Sequence, residues 1–586
     1  MFRTFLAFAS LLCAIEAAEI QSTLYSNGIS SKMRTGLPGS ATENNPWVAF
    51  VKYTDANETK SNFGHLYIET NGERSNNEQS FGAGYVEGSL TAERIWQHYQ
   101  NMLCQVDCDG NIPQDLRDFY TEQDVWVRER SKTLGVTDPY WTFISLLVSQ
   151  FDGLMQGYRE SEFATSHPES IIDDFGFAML NSLGDLFDIE PALAREGSER
   201  SADNSGLTSR PDFDRMSYKE MQMYMNKQGH CSAFIKLTDD MSDIYFGHSS
   251  WFTYSAMLRI YKTYSWNLQS DDVFTAPVTT TSFSSYPGML SSLDDFYLMK
   301  DTKLSMIQTT NSIFNTSLWD MITPESLYAW QRVRTANQLS TSGPEWADLV
   351  GRYNSGTYNN QYMVLDGKLF TAQNALPTGT LTVIEQIPGL VVAGDATREL
   401  EKGYWGSYNV PYHKEIYDKS GYPDVDAKGG VTQYTQYQQA PRAKIFRKNN
   451  GLNWDSGESS AQAHVLKNMQ HVLRSNEYLT DPLAEGNPWN AICSRGDLDT
   501  SSPYPGGGYD TKVSSMVMAG FSSNPDANAA DAEVRAHSSG MTASIVNGPT
   551  SQNLPAFQWS TSGLDTPENP HYGQPDTFDF EFELIQ

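Results

Sequence analysis

Between Ala194 and Met216 the sequence loses the means to build a core. The stretch REGSERSADNSGLTSRPDFDR (195–215) is rich in Ser, Asp, Arg and Gly and nearly devoid of aliphatic side chains. Burying it would return too little to offset the entropy of ordering it, so it reads as an exposed linker that divides the chain. The amphipathic segment MSYKEMQMYMNKQGH (216–230) follows, and then a strand pair: CSAFIKL (231–237), the turn TDDMSD, and IYFGHSSW (244–251). A fold must therefore accept a new strand that begins abruptly at residue 231.

Before the linker, WVAFVKY (47–53) and HLYIET (65–70) read as a hairpin with a long polar loop. Three helices follow in AERIWQHYQNML (92–103), YWTFISLLVSQFDGLM (140–155) and SIIDDFGFAMLNSLGDLF (170–187), each with apolar residues at three- and four-residue spacing. After the strand pair come strands at LSMIQTT (304–310), QYMVLD (361–366) and TLTVIEQI (380–387), with PGLVVAGD as a loop and WDMITPESLYAWQRV (319–333) as a helix. From about 500 the chain is turn-rich, and no internal repeat stands out. Helices and strands mixed at this density imply a layered α+β architecture.

The first eighteen residues, MFRTFLAFASLLCAIEAA, combine Arg3, an apolar run from Phe5 to Ile15 and small residues at Ala17 and Ala18. They read as a secretory signal peptide (1–18), and no later segment reaches the ~20 continuous apolar residues of a membrane span. Removing them takes one Arg and one Glu, so the formal charge stays at −30. A surface that acidic repels phosphates and excludes nucleic acid as a partner. The acceptor triplets Asn57-Glu-Thr and Asn315-Thr-Ser fit glycosylation on a secreted or lysosomal route.

Four cysteines remain after the signal, too few for a disulfide-built scaffold. Cys104 and Cys108 are close enough in sequence to bridge. Cys231 and Cys493 are then left over, either paired with each other, buried singly, or in one case kept free for chemistry.

Common catalytic signatures are missing. The sequence has no Gly-x-Ser-x-Gly elbow, HExxH, CxxC, Walker loop, or G-x-G-x-x-G after a strand, and its histidines are scattered singly. No metal or cofactor is expected, which leaves a metal-free hydrolase or a non-catalytic protein. Attention falls on Gly229-His230-Cys231-Ser232, where the linker region ends and the strand begins. A cut between His230 and Cys231 would put a thiol and a new α-amine on one residue. The amine, with a reference pKa of about 7.7–8.0, is then a built-in base for a thiol of about 8.5.

Seven blocks resemble the phospholipase B-like, or laminal ancestor, family of N-terminal nucleophile hydrolases. They are GHCSAFIKLTDDMSDIYFGHSSWFTYSAMLRIYK (229–262), PESLYAWQRVRTAN (324–337), RYNSGTYNNQYMVLD (352–366), YWGSYNVPY (404–412), APRAKIFR (440–447), AICSRGDL (491–498) and HYGQPDTFDF (571–580). The resemblance implies a four-layer αββα sandwich made as a single-chain proenzyme and cut autocatalytically between His230 and Cys231. The chain would then divide into a small chain (19–194), a linker or propeptide (195–230) and a large chain (231–586), which stay associated, with a homodimer as one assembly.

Carried onto this sequence, the site comprises Cys231 as nucleophile with His248, Trp251, a threonine of the TTN turn (Thr310, with Thr309 as the other reading), Asn409 and Arg442. Asn409 is then the donor to the oxyanion, Arg442 a holder of the thiolate or the substrate's polar end, and His248 and Trp251 the lining of the mouth.

The function implied is release of fatty acyl chains from (lyso)glycerophospholipids through a thioester. Alternatives are an N-acyl amide amidase of the same fold and a processed, non-catalytic lysosomal lipid-binding glycoprotein. The linker, dotted with Arg195, Arg200, Arg210 and Arg215, suits proteases, and its trimming is expected to be needed for activity. Near pH 5 the ten histidines and some carboxylates take up protons and reduce the −30 charge. The α-amine of Cys231 must then have a lowered pKa to act as a base.

Overall fold

The computed structural model describes residues 19–26, 31–38, 46–194, 210–227, 231–428, 435–454, 459–516 and 542–585. Two large sheets dominate it. The first has eleven strands in the order Leu390–Asp395, Leu381–Ile387, Asn360–Asp366, Leu304–Thr310, Phe296–Met299, Thr280–Ser285, Arg259–Ser265, Phe63–Thr70, Trp47–Thr54, Ile20–Ser26, Ser31–Thr35. Every pairing in it is antiparallel except that of Phe63–Thr70 with Arg259–Ser265. This parallel seam is where strands that precede residue 195 meet strands that follow it, so one hydrogen-bonded sheet spans the linker.

The second sheet runs Tyr404–Ser407, Cys231–Leu237, Ile244–Thr253, Asp510–Ser515, Ala543–Asn547, Glu583–Ile585, with Gly506–Gly508 also on Ile244–Thr253. Cys231–Leu237 is buried along its whole length. One face packs on the large sheet through Ala233 and Ile235 against residues that include Ile307, Met363 and Val383. From the other face Phe234 meets Phe446 and the helices Pro441–Asn449 and Ser459–Arg474. The outer face of the large sheet is covered by Asn76–Leu90, Ala329–Leu339 and Gly343–Gly351 through Ala83, Val86, Val333, Ala336 and Trp346. The α+β expectation holds, with helices on the outside of two facing sheets.

The 47–53/65–70 hairpin, the 92–103 helix and the 231–237 and 304–310 strands form where their patterns place them. Other segments differ, each for a local reason. Residues 388–389 make a tight turn with Gly389 at φ +73°, which a Pro-Gly pair favours. PGLVVAGD therefore continues as the strand Leu390–Asp395, an edge strand paired from Ile387↔Leu390 onward. Pro324 bars an α conformation at the residue before it. The expected 319–333 helix becomes a 3₁₀ turn, Thr316–Met321, and a helix that starts only at Ala329. The 170–187 segment breaks at Ser182 into Asp174–Asn181 and Leu183–Leu193. The turn-rich C-terminal region nevertheless supplies four strands to the small sheet.

The linker expectation needs correction in its second half. Residues 195–209 lie outside the described residues. Beyond them, Phe213 is buried with its ring 5.3 Å from that of Phe314, and the helix Tyr218–Lys227 sends Met221 and Met225 into the main core. The amphipathic pattern of 216–230 was the signal for that docking.

The helix Asn76–Leu90 escaped the sequence reading because its interior is glycine-rich, which weakens a helix on its own. The glycines allow close approach to Pro139–Arg159. A Cβ on Gly84 or Gly88 would run into the backbone of Gln150 and Leu154, and one on Gly153 or Gly157 into that of Phe81 and Tyr85. Gly153→Ala is therefore expected to lower stability by at least about 1–3 kcal/mol despite its better helix propensity. A urea titration that finds it as stable as the wild type would show that the helices can separate.

Cys104 and Cys108 form a disulfide, while Cys231 and Cys493 are both buried free thiols. The reading that pairs Cys231 with Cys493 is thereby set aside. The signal segment 1–18 and His230 lie outside the described residues. Asn57 is exposed, whereas the Asn315 side chain is engaged, its amide donating to the Lys419 carbonyl at 3.2 Å. Among the described residues, no helix is long and apolar enough to cross a membrane.

Candidate active site

Cys231 opens its strand only 5% exposed, held at both ends of its backbone. Its N–H donates to Asn409 Oδ1 at 3.3 Å, and its carbonyl accepts from Arg442 Nη1 at 2.6 Å. Asn409 sits in a left-handed turn, φ +70°, a conformation that asparagine tolerates. Its Nδ2 donates to the Thr310 carbonyl at 2.6 Å. An amide nitrogen carries two hydrogens, so one is used here and a second remains for a ligand. Arg442 also donates to the Tyr408 carbonyl at 2.8 Å, and its guanidinium lies 4.4 Å from the centre of the Trp251 ring. Trp251 is fixed in turn by its indole N–H on the Ile492 carbonyl at 3.0 Å. Arg442 thus holds the nucleophile's backbone and the neighbouring indole, and it reaches the Ser232 hydroxyl at 3.3 Å.

Cys231, Trp251 and Thr310 line one small cavity together with Ser250, Asp294 and Tyr358. Thr310 is therefore at the cavity, while Thr309 bonds Ser407 through its hydroxyl at 2.6 Å. The cavity measures about 20 Å³, room for roughly one water and none for an acyl chain. Burial pushes the Cys231 thiol up to about 12, opposed by the backbone N–H of Trp251 and the charge of Lys512. Held there, the sulfur is a protonated thiol at neutral pH.

His248 stands behind the cavity instead of at its mouth, fully buried. Its Nε2 lies 2.7 Å from the Gln308 carbonyl, which can only accept, so Nε2 carries the hydrogen and Nδ1 is bare. Burial, aided by the charge of Lys512, holds its pKa well below the ordinary range, and the ring is neutral.

Sequence reasoning missed the charges beside it. Arg259 lies 2.9 Å from both Asp294 and Asp510, and Lys512 pairs with Asp510 at 2.9 Å and with Asp294. All four are buried. Burial works to raise the Asp294 pKa, but Arg259 and Lys512 outweigh it and keep this carboxyl ionised. His248, Asp294 and Asp510 have ligand atoms within 4.8 Å of one another, as a metal site would need. The Lys512 ammonium bonds both carboxylates and fills that role with a fixed positive charge. Arg259, Asp294 and the Asp510–Lys512 pair lie tens to hundreds of positions apart, which left no pattern by which they could have been grouped.

Leu183–Leu193 brings Phe187 to the cavity wall and two buried acids beneath it. Asp188 accepts from the Trp319 indole and the Tyr358 N–H, both at 2.9 Å, and Asp185 accepts from the Ala329 N–H at 3.1 Å. Burial raises Asp185 to about 6 and Asp188 to about 7. Folded, each keeps a proton that the unfolded chain releases above the ordinary carboxylate range. Their stabilising contribution is complete below about pH 4 and is lost as pH rises through about 6 to 7. The urea midpoint should fall over that window, and Asp188→Asn should flatten the fall; an equally steep fall in the variant would contradict this assignment.

A family model described as Phospholipase B matches residues 49–585, nearly the whole chain. The chain belongs to this family. Its relatives include "Phospholipase B-like 1" of Rattus norvegicus, 40% identical over 86% of this chain and 81% of that protein. "Phospholipase B" of Crotalus adamanteus is 40% identical over 90% and 85%, and "Phospholipase B-like protein D" of Dictyostelium discoideum 36% identical over 90% and 85%. Membership of the phospholipase B family makes the chain a hydrolase.

Proposed function

We propose that the chain is a phospholipase B-like acyl hydrolase of the N-terminal nucleophile type, made as a proenzyme and cut between His230 and Cys231. In this reading residues 19–194 and 231–586 remain one unit, supported by the sheet that runs unbroken across the parallel seam. The layer order, with helices outside two facing sheets, supports the same assignment.

The observation that carries the proposal is the setting of Cys231. Its nitrogen rests on Asn409 Oδ1, its carbonyl on Arg442, and its thiol shares a cavity with Thr310 and Trp251. After a cut, Asn409 Oδ1 would hold the free amine beside the sulfur. The amine takes the thiol proton, Sγ attacks the acyl carbonyl, and the second Asn409 N–H supports the oxyanion; such a donor is worth ~10²–10³ in rate. The leaving alcohol takes the proton, and water then releases the fatty acid from the thioester.

Phe213, Met221 and Met225 are set in the core, so one cut before Cys231 leaves residues 210–227 docked. The cavity has to widen far beyond 20 Å³ to admit an acyl chain, and trimming within 195–230 is the proposed route. The acyl class is tested by giving the processed enzyme matched lysophospholipids and N-acyl amides. Fatty acid release from the ester is expected; turnover of the amide alone would favour the amidase reading. Signal cleavage, entry to the secreted or lysosomal route and glycosylation, with exposed Asn57 the better placed acceptor, belong to this proposal.

A further inference from the structure

The amine cannot serve the first cut. Before cleavage the nitrogen of Cys231 is an amide whose N–H is given to Asn409 Oδ1, so some other group must take the thiol proton. Ser250 is the direct cross-strand partner of Cys231, which puts both side chains on one face at typical Cβ separations of roughly 4.5–5.5 Å. Both line the same cavity.

The hydroxyl of Ser250 is connected on its far side. It accepts from Lys512 Nζ, donates to Asp294 Oδ2 at 2.8 Å, and lies 3.4 Å from the bare Nδ1 of His248. A hydroxyl has two acceptor positions and one hydrogen. Lys512 occupies one acceptor position, and the other is left for a proton arriving from the cavity. Of the two groups that could receive the outgoing hydrogen, Asp294 is tied to Arg259 and Lys512, while His248 is neutral with Nδ1 unprotonated.

We propose that Ser250 relays the Cys231 thiol proton to His248 Nδ1 during self-cleavage of the uncut chain. The inference rests on the self-cleavage reading given above. As Sγ bonds to the carbonyl carbon of residue 230, the Ser250 hydroxyl turns its hydrogen from Asp294 to His248 Nδ1, the thiol proton passes to Ser250 and the hydroxyl proton passes to His248. The C–N bond between residues 230 and 231 then breaks. The proton returns along the same path to the Cys231 nitrogen, leaving a thioester and a free amine. Water hydrolyses the thioester, restoring the thiol and freeing the carboxylate of residue 230. Once the amine exists, it supplies the base for turnover and the relay is no longer required for that step.

The test follows the full-length chain after synthesis by intact mass, in the wild type and in Ser250→Ala, Ser250→Thr, His248→Gln and the Ser250→Ala/His248→Gln pair. Loss of a positioned base typically costs ~10²–10⁴ in rate. Ser250→Ala should therefore slow the appearance of the fragment that starts at Cys231 by about 10²-fold or more. Ser250→Thr, which keeps the hydroxyl, should recover most of that rate. The double variant should be no slower than the worse single one, because both residues lie on one path. Ser250→Ala cut at the wild-type rate, Ser250→Thr no faster than alanine, or losses that multiply in the pair would each overturn the relay. Absence of the Cys231 fragment from the wild type itself would instead overturn the self-cleavage reading on which the relay stands.

Discussion

Cys231→Ala is expected to remain a single uncut chain and to lose essentially all turnover, by roughly 10⁶-fold, the scale reached when a hydrolase loses its nucleophile. Two losses meet in this one change. The sulfur that attacks the bond before residue 231 is gone, so the amine is never made, and the sulfur that carries the acyl group is gone as well. The backbone contacts to Asn409 and Arg442 do not involve the side chain and should survive. The variant should fold, and its melting temperature should stay close to that of the uncut wild type. A Cys231→Ala chain that is cut normally would show that another protease makes the break. One that is cut and still releases fatty acid would remove the thiol from the mechanism altogether.

Lys512→Met is expected to have the largest effect on stability. The ammonium is fully buried and bonds Ser250, Asp294 and Asp510, so replacing it leaves two carboxylates with Arg259 as their remaining cation among the described residues. Removing one partner from a buried charge cluster costs about 3–5 kcal/mol, because the remaining charges have lost water and gained nothing in return. Lys402→Met is the control. That lysine pairs with Glu399 at 2.6 Å, but its side chain is 68% exposed, and such pairs contribute about 0–1 kcal/mol. Urea unfolding compares the two directly, since a shift in midpoint with an unchanged slope reports stability alone. Equal midpoints for Lys512→Met and the wild type would mean that the cluster admits water or relaxes around the gap.

The parts of the fold that were legible in the sequence are those fixed by short-range pattern. Cys231–Leu237 and Leu304–Thr310 are runs rich in apolar and β-favouring side chains, and Ala92–Leu103 carries its apolar residues at helical spacing. Asn76–Leu90 was hidden because its stability comes from another helix, through glycines whose value shows only when Pro139–Arg159 is laid against them. The same division holds at the site. Cys231 stood out because it begins a strand after a coreless stretch, the motif blocks led to Asn409, Arg442 and Trp251, and the family resemblance led to Thr310 in the TTN turn. Ser250 lay inside a quoted block and still passed unnoticed. A serine gains meaning only from what it touches, here Lys512 and Asp294, which are 262 and 44 residues away in the chain. His248 was found but expected at the mouth, and only the packing of the two sheets puts it behind the cavity.

On the proposed mechanism Cys231 becomes the first residue of a chain. N-terminal sequencing and intact mass of the purified, processed protein test it most directly. The large fragment is expected to begin Cys-Ser-Ala-Phe-Ile-Lys and to be accompanied by a fragment drawn from residues 19–194. A protein that remains one uncut chain while fully active, or a large fragment whose first residue is not Cys231, would contradict it.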